Sequence, residues 1–198
     1  MAYVWPIIVS YLLGSISFSF LAGKLLRGID IRQHGSGNAG ATNTLRVLGK
    51  GPGIAVLVLD LLKGVAAVSL AWVAKEDSAW LPVFCGWAAI AGHNWPVYFG
   101  FRGGKGVATT IGVMVALAFL PALIAGLVTI AVIAITRYVS VGSLLFAVLI
   151  PILVLVMHHP IEIFWATLPI ALFAFVRHRT NIVKLVQGKE NKLGAKRL

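Results

Sequence analysis

Acidic side chains are scarce in this sequence, since Asp and Glu together account for six of its 198 residues. Three of them fall on the side assigned below to the exterior: Glu76, Asp77 and Glu162. The other side retains Asp30 and Glu190, with Asp60 inside an apolar run. This distribution provides no paired carboxylates for general acid–base catalysis and no carboxylate–histidine cluster for a metal. We therefore expect neither a metal nor a cofactor.

Cysteine is nearly absent, and charged residues of both signs are few. The single cysteine, Cys85, excludes an intrachain disulfide and a cysteine metal cluster and is expected to be a small packing residue. Charged residues make up 12% of the chain, against about 25% in soluble domains. Hydrophobic residues make up 59%, and the mean hydropathy is +0.93. Apolar runs of near-spanning length recur throughout, so we expect an all-α integral membrane protein with a single polytopic domain over residues 1–198.

The apolar runs predict about seven transmembrane helices. We place them at 3–23, 53–74, 80–99, 107–120, 121–136, 141–157 and 160–176. The run 107–136 would be about 45 Å long as one helix, too long for a hydrocarbon core of about 30 Å. We divide it into two short spans that turn near Pro121. The chain start lacks the basic segment of a signal peptide, so we expect the first span to be retained.

Basic residues are segregated by this topology. The net charge is +11, and one side receives 15 of the 17 Lys and Arg residues. They are Lys24, Arg27, Arg32, Arg46, Lys50, Arg102, Lys105, Arg137, Arg177, Arg179, Lys184, Lys189, Lys192, Lys196 and Arg197. Lys75 lies on the other side and Lys63 inside a span. The positive-inside rule then predicts an exterior N-terminus and a cytoplasmic C-terminus. The chain lacks a soluble basic face with interleaved aromatics, so we expect no nucleic-acid partner.

Four segments on the predicted cytoplasmic side are rich in Gly, Ser, Asn, Lys and Arg. They are HGSGNAGATNTLR (34–46), GFRGGKG (100–106), RYVSVGS (137–143) and the tail that begins RHRTNIVK (177–184). Glycines let backbone N–H groups approach an anion, while Lys and Arg supply charge. This is phosphate-binding chemistry, although polar loops with positive-inside charge are the simpler alternative.

The letters Gly35-x-Gly37-x-x-Gly40 also match a dinucleotide-binding fingerprint. That motif needs a preceding strand and a soluble βαβ unit, whereas this loop lies between membrane spans. The sequence around Lys105 similarly fails as a P-loop, because its spacing is one residue short and Gly106 replaces the required Ser or Thr. Neither nucleotide motif is therefore present.

Buried charges and histidines keep several interpretations open. Asp60 and Lys63 are three residues apart on one helix, where structural pairing is favoured over direct catalysis. His93 is either a satisfied polar residue or a support for the site. The role of His34 is open, and His178 has either a catalytic or phosphate-positioning role or an interfacial one. His158 and His159 are expected in a solvated outer loop.

Three long motifs resemble the bacterial membrane glycerol-3-phosphate acyltransferases that use acyl phosphate, the PlsY family. They are GSGNAGATNTLR (35–46), GHNWPVYFGFRGGKGVATTIG (92–112) and HRTNIVKLVQGKENKLG (178–194), and DLLKG (60–64) is similar too. The resemblance implies transfer of an acyl group from acyl phosphate to the 1-hydroxyl of glycerol 3-phosphate. The products are lysophosphatidic acid and phosphate, the first step of phospholipid synthesis. It also implies a monomer in contact with membrane lipid in the bacterial inner membrane, with the active site facing the cytoplasm. The HxxxxD arrangement of soluble and peripheral acyltransferases is absent.

The resemblance also implies site residues. It assigns the acyl-phosphate cradle to the backbone around Ser36, Gly37, Asn38 and Ala39. It assigns Arg46 and Lys105 to clamping the phosphate and offsetting leaving-group charge. Ser143, His178 and Asn181 are implied to orient glycerol 3-phosphate. The catalytic set is thus Ser36, Arg46, Lys105, His178 and Asn181. The substrate-binding set is Gly35, Gly37, Asn38, Ala39, Gly40, Thr42, Asn43, Gly103, Gly104 and Ser143.

Acyl phosphate is already activated, so we expect direct transfer without an acyl-enzyme. The hydroxyl proton would pass to a substrate phosphate oxygen or to His178. The main alternative is a transporter or channel for a phosphorylated metabolite, which Asp60 and Lys63 inside the membrane would suit. A structural scaffold is a third possibility, but it would not need four glycine- and amide-rich loops on one side.

Overall fold

A computed structural model describes residues 4–74 and 78–194. These residues form ten α-helices and two short 3₁₀ helices, with no β-strand in the described ranges. The predicted all-helical class is confirmed. Five residues used in the charge argument lie outside the described residues: Lys75, Glu76, Asp77, Lys196 and Arg197.

Most of the helices follow the apolar runs, but two short ones, Ala41–Leu48 and Arg179–Val186, lie in the polar segments between or after them. The helices are α1 (Val4–Gly14), α2 (Phe18–Arg27), α3 (Ala41–Leu48), α4 (Lys50–Val73), α5 (Leu81–Asn94), α6 (Val107–Leu117), α7 (Phe119–Thr136), α8 (Val139–Val156), α9 (Ile161–Arg177) and α10 (Arg179–Val186). The 3₁₀ helices are Ile31–Gln33 and Val97–Phe99. The contacts between Cα atoms divide the chain into two compact units, residues 1–117 and 118–198. That the chain forms one domain stays a prediction.

The first apolar run is broken, whereas the sequence predicts one uninterrupted span over 3–23. Helix α1 ends at Gly14, and α2 begins at Phe18 after a short turn. Ser17 caps α2, because its hydroxyl accepts a 3.4 Å hydrogen bond from the backbone N–H of Phe20. The second helix continues to Arg27, beyond the predicted end, and stops at Gly28 in the left-handed conformation. The two pieces together still have the length and apolarity of one span, Val4–Arg27.

The run 107–136 is divided, as the sequence predicts, but at a different residue. Ala118 has non-helical dihedral angles (φ −151°, ψ 76°) and separates α6 from α7. Pro121 lies in the first turn of α7, where its missing N–H would have no helical partner in any case. The predicted turn near Pro121 is therefore corrected to Ala118.

Four helical segments of the described chain are long and apolar enough to cross a membrane: Val4–Arg27, α4, α7 and α8. A fifth is possible if α9 and α10, which are bent by 57° at His178, form one span. Helices α5 and α6 are apolar but shorter, with 14 and 11 residues. Large side chains such as Ile135 on α7 and Leu172 on α9 are exposed, as expected for surfaces that face lipid. The count of seven and the orientation of the termini stay predictions.

In the first unit, α4 packs against both α5 and α6. Gly64 and Gly112 let α4 and α6 approach backbone to backbone, since a Cβ at Gly64 would meet the Thr109 carbonyl oxygen and one at Gly112 that of Leu61. This packing fixes the end of α5 and the beginning of α6. Between those two ends lies the second glycine-rich loop.

In the second unit, α8 packs against α7 and α9. Gly142 lies against Ile133, and the Thr129 hydroxyl donates a 3.4 Å hydrogen bond to the Gly142 carbonyl. The backbone N–H of Leu193 donates to the Arg137 carbonyl (2.7 Å), and the Arg137 guanidinium donates to the Leu193 carbonyl (2.8 Å). The tail after α10 is thereby held at the turn between α7 and α8.

Candidate active site

The first glycine-rich loop joins α2 to α3 and is shaped by two glycines in the left-handed region. Gly35 has φ +64° and Gly37 has φ +74°, values that favour glycine. A Cβ at Gly35 would in addition meet the side chain of Asn43. The sequence GSG therefore makes a tight, exposed turn directly before α3.

Asn43 supports this turn from beneath. It is 1% exposed, and its Oδ1 accepts a 2.8 Å hydrogen bond from the Ser36 backbone N–H. Its Nδ2 donates to the carbonyls of Ile31 (3.1 Å) and His34 (3.0 Å). The amide side chain is thus engaged with the loop backbone, and this geometry favours a positioning role over the substrate contact that the resemblance implies.

The backbone N–H groups of the loop fall into two sets. Those of Ser36, Gly37 and Gly40 donate within the loop, to Asn43 Oδ1 and to the carbonyls of His34 and Asn38. A second set has no assigned hydrogen bond in the described part of the chain: Asn38, Ala39, Ala41 and Thr42. Helix α3 begins after Gly40 without a side-chain cap. An anion would therefore meet the N–H groups at this helix start, displaced toward α3 from the turn itself.

Helix α3 positions Arg46. Arg46 and Thr42 are four residues apart and share one face of the helix, above its uncapped start. The adjacent face of the helix is buried at Thr44. The Thr44 hydroxyl forms hydrogen bonds with the Ser19 hydroxyl (2.7 Å) and the Gly40 carbonyl (3.1 Å). The helix is therefore fixed with Arg46 half-buried at the loop.

The second glycine-rich loop folds back onto the end of α5. The backbone N–H groups of Gly103 and Gly104 donate to the carbonyls of Asn94 (3.2 Å) and His93 (3.1 Å). A Cβ at Gly103 would meet the His93 carbonyl oxygen, and one at Gly104 would meet the His93 ring and the Ala39 carbonyl oxygen. Only glycine fits this close approach. It holds the backbone of Lys105 next to the first loop.

Arg32 joins the two loops, although it was not among the predicted site residues. Its guanidinium donates to the carbonyls of Phe99 (2.7 Å) and Arg102 (3.3 Å) and forms an ion pair with Asp30 (2.8 Å). It also lies over the Phe20 ring, 4.8 Å from its centroid. The hydrogen bond from Arg32 lowers the pKa of Asp30, and the same bond raises the pKa of Arg32. The spacing Asp30-x-Arg32 before the glycines was the available signal.

A buried ionic cluster lies beneath the loops. Lys63 Nζ is 2.7 Å from Asp60 Oδ1, which confirms the predicted pairing. Lys63 Nζ also lies 2.9 Å from His93 Nδ1 and donates to the Ile16 carbonyl (2.8 Å). Since Gly104 approaches the other side of the His93 ring, this cluster is connected to the Lys105 loop.

The second unit carries the remaining predicted residues. His178 is 2% exposed, and its Nδ1 lies 2.8 Å from the Ala174 carbonyl. A carbonyl only accepts, so Nδ1 carries the proton, and Nε2 is the acceptor in the neutral ring. Asn181 Nδ2 donates to Glu190 Oε1 (2.8 Å), to which the Ser140 hydroxyl also donates (3.3 Å). Glu190 thus links Asn181 to α8.

Ser143 lies three residues beyond Ser140 on α8, on the same face. Its hydroxyl donates to the Val139 carbonyl (2.9 Å) within the helix, and the residue is buried. Glu190 was missed as a supporting residue from the sequence. The sequence did set Glu190 apart in one way: on the predicted cytoplasmic side, only Asp30 and Glu190 are acidic residues outside the spans.

Comparison with known proteins identifies the family of this chain. The sequence pattern of the family described as glycerol-3-phosphate acyltransferase matches residues 4–188. The chain belongs to the glycerol-3-phosphate acyltransferase family. A relative of that name from Shouchella clausii is 57% identical over 96% of this chain and 95% of its own. Another, from Halalkalibacterium halodurans, is 53% identical over 98% of this chain and 97% of its own.

Solved structures of the family have the same fold. PlsY, described as an integral membrane glycerol 3-phosphate acyltransferase, is 39% identical in its glycerol 3-phosphate form, with a TM-score of 0.92. That match covers 98% of this chain and 96% of PlsY. The lysophosphatidic acid form gives a TM-score of 0.90 at 38% identity, with the same coverage. The resemblance stated from the sequence motifs is thereby confirmed.

Proposed function

We propose that the chain transfers a fatty acyl group from an acyl phosphate to the 1-hydroxyl of glycerol 3-phosphate. The products are lysophosphatidic acid and inorganic phosphate. Membership of the glycerol-3-phosphate acyltransferase family supports the acceptor and the product class, since related PlsY structures are described as glycerol 3-phosphate and lysophosphatidic acid forms. The acyl phosphate donor, the cytoplasmic face of the bacterial inner membrane and the site residues are parts of the proposal.

One observation carries the donor assignment: two glycine-rich loops meet in the first unit, and the two carboxylates described beside them are already engaged, Asp30 by Arg32 and Asp60 by Lys63. The N–H groups of Asn38, Ala39, Ala41 and Thr42 and the side chains of Arg46 and Lys105 are donors only. Such a set suits an anion with several oxygens. We infer that it holds the phosphoryl group of the acyl phosphate and stabilises the charge that develops as phosphate leaves.

The acceptor is assigned to the polar residues of the second unit. His178 and Asn181 are each held by a second group, Ala174 and Glu190, so their side chains are fixed before a substrate binds. Ser143 adds a hydroxyl on α8. We infer that these three residues contact glycerol 3-phosphate and orient its primary hydroxyl.

The reaction proceeds in one acyl-transfer step. The 1-hydroxyl oxygen attacks the carbonyl carbon of the mixed anhydride, a new ester C–O bond forms, and the bond from carbon to the phosphate oxygen breaks. The hydroxyl proton passes to a substrate phosphate oxygen or to Nε2 of His178, and inorganic phosphate leaves. The anhydride is already activated, so the step does not require an enzyme nucleophile.

The transport alternative loses its main support. It relied on Asp60 and Lys63 as polar residues along a path through the membrane. Both are fully buried, and Lys63 is surrounded by Asp60, His93 and the Ile16 carbonyl. The pair therefore has a structural explanation within the first unit.

The test is a turnover assay with purified protein in detergent, palmitoyl phosphate and glycerol 3-phosphate. We expect equal release of phosphate and lysophosphatidic acid without any membrane gradient. Lys105→Ala should abolish transfer, while the matched control Lys50→Ala, at the exposed start of α4, should leave it unchanged. Near-normal turnover by Lys105→Ala would remove this residue from the site.

A further inference from the structure

The proposed reaction assigns no role to the buried cluster of Asp60, Lys63 and His93. These side chains are 1%, 3% and 6% exposed. Burying ionic groups inside a membrane protein is costly, and such groups commonly serve function. The pair of Asp60 and Lys63 balances its own charge, which leaves the question of what it does for His93.

Lys63 determines the protonation of the His93 ring. An ammonium group has three donors and no acceptor. The Nζ of Lys63 lies 2.7 Å from Asp60 Oδ1, 2.8 Å from the Ile16 carbonyl oxygen and 2.9 Å from His93 Nδ1. His93 Nδ1 also lies 3.5 Å from Asp60 Oδ1, but its contact with the ammonium group is shorter, and that contact requires a lone pair on Nδ1. His93 Nδ1 accepts, and the ring proton of the neutral imidazole is on Nε2.

The Nε2 atom faces the place where the two glycine-rich loops meet. A Cβ built at Gly104 would meet both His93 Nε2 and the Ala39 carbonyl oxygen. The backbone of the same residue is fixed from the other side, since Gly104 N–H donates to the His93 carbonyl (3.1 Å). His93 thus borders Gly104, the residue before Lys105, with both its backbone carbonyl and its ring. The ring also lies near Ala39 of the first loop.

We propose that His93 is a positioning residue of the acyl-transfer site, held by Lys63 and Asp60 as an Nε2–H donor. This donor sets the separation between Lys105 and the N–H groups at the start of α3, those of Asn38, Ala39, Ala41 and Thr42. It acts through the loops and does not touch the reacting atoms. The inference rests on the proposed function, because the separation matters only if both loops hold one phosphoryl group.

A pair of substitutions separates this role from simple filling of space. The amide nitrogen of glutamine can reach the position of Nε2, whereas that of asparagine reaches only the position of Nδ1. We expect His93→Gln to keep KM for palmitoyl phosphate within about threefold of wild type. We expect His93→Asn to raise it by about 30-fold or more with a smaller change in kcat. The proposal would be overturned if both variants folded and raised KM for palmitoyl phosphate equally, or if His93→Asn had the lower KM of the two.

A direct measurement keeps the proposal testable if both variants fail to fold. The other four histidines (His34, His158, His159 and His178) are replaced by glutamine, and the remaining imidazole is labelled with 15N for NMR. A protonated Nε2 and an unprotonated Nδ1 are expected, and the opposite tautomer or an imidazolium would overturn the proposal. Failure of the proposed function is recognised separately, because wild-type protein would then not turn over palmitoyl phosphate at all.

Discussion

Asn43 Oδ1 accepts the Ser36 backbone N–H at 2.8 Å, across seven residues of sequence. This bond, together with the two that Asn43 Nδ2 donates, fixes the glycine turn against α3. The side chain is buried, so its bonds are not exchanged for bonds to water. Asn43 therefore determines the shape of the loop that we assign to phosphate.

Replacing Asn43 should test that dependence. Asn43→Asp keeps an acceptor for Ser36 but loses the donors to Ile31 and His34, which leaves two carbonyls facing a carboxylate. We expect a loss of about 1–3 kcal/mol in stability and a large rise in KM for palmitoyl phosphate. Thermal unfolding and steady-state kinetics measure the two effects. The account of this loop would be wrong if KM were unchanged in a folded Asn43→Asp protein.

Two glycines form a matched pair for testing close approach. A Cβ at Gly103 would meet the His93 carbonyl oxygen, whereas a Cβ at Gly126, inside α7, has open space around it. We expect Gly103→Ala to lose most activity. Gly126→Ala should be neutral or stabilising by up to about 1 kcal/mol, because alanine favours the helix. Activity and melting temperature are compared for both, and an active Gly103→Ala enzyme would contradict the packing described.

Glu190 should be required for binding glycerol 3-phosphate, because it holds the side chains of Asn181 and Ser140 in place. Its Oε1 accepts from both side chains. Glu190→Ala leaves both donors without this acceptor, whereas Glu190→Gln can keep an amide oxygen in the same place. We expect Glu190→Gln to retain substantially more activity than Glu190→Ala, with the difference in KM for glycerol 3-phosphate. Equal KM values in the two variants would argue against support of Asn181 by Glu190.

Acid should weaken the junction of the two loops in the first unit. The hydrogen bond from Arg32 lowers the pKa of Asp30 below its ordinary value of 3.8. The ion pair therefore stabilises the folded state above that value, and this contribution is lost as the pH falls through the lowered pKa. Melting temperatures of wild type and Asp30→Asn should converge toward the acid end of the range. A difference that stays constant from neutral pH to below pH 3 would contradict the assignment.

Local patterns predicted more of this molecule than long-range ones did. Apolar runs located the apolar helices within a few residues, because burial in lipid depends on composition over about 20 residues. The short polar helices α3 and α10 lie outside every predicted span. The break at Ser15–Ser17 was missed, since a short capped turn barely changes the hydropathy of the run. The break in 107–136 was foreseen, but Pro121 was chosen although a proline fits the first turn of a helix.

In the site, too, local contacts were predicted and long-range contacts were not. The pairing of Asp60 with Lys63 follows from their spacing on one helix, but the contact with His93 joins two helices 30 residues apart and could not be read from spacing. Arg32 contacts Phe99 at a separation of 67 residues, so its role depends on packing that only the fold reveals. The glycine motifs indicated an anion site, but not which N–H groups were already engaged within the loop.

Direct acyl transfer is tested most directly by rapid quenching of wild-type protein with palmitoyl phosphate, followed by intact-protein mass spectrometry. Without glycerol 3-phosphate, the account predicts protein of unchanged mass. When glycerol 3-phosphate is added, it predicts lysophosphatidic acid and phosphate formed in equal amounts. A palmitoylated protein that forms first and then transfers its acyl group to glycerol 3-phosphate would contradict it.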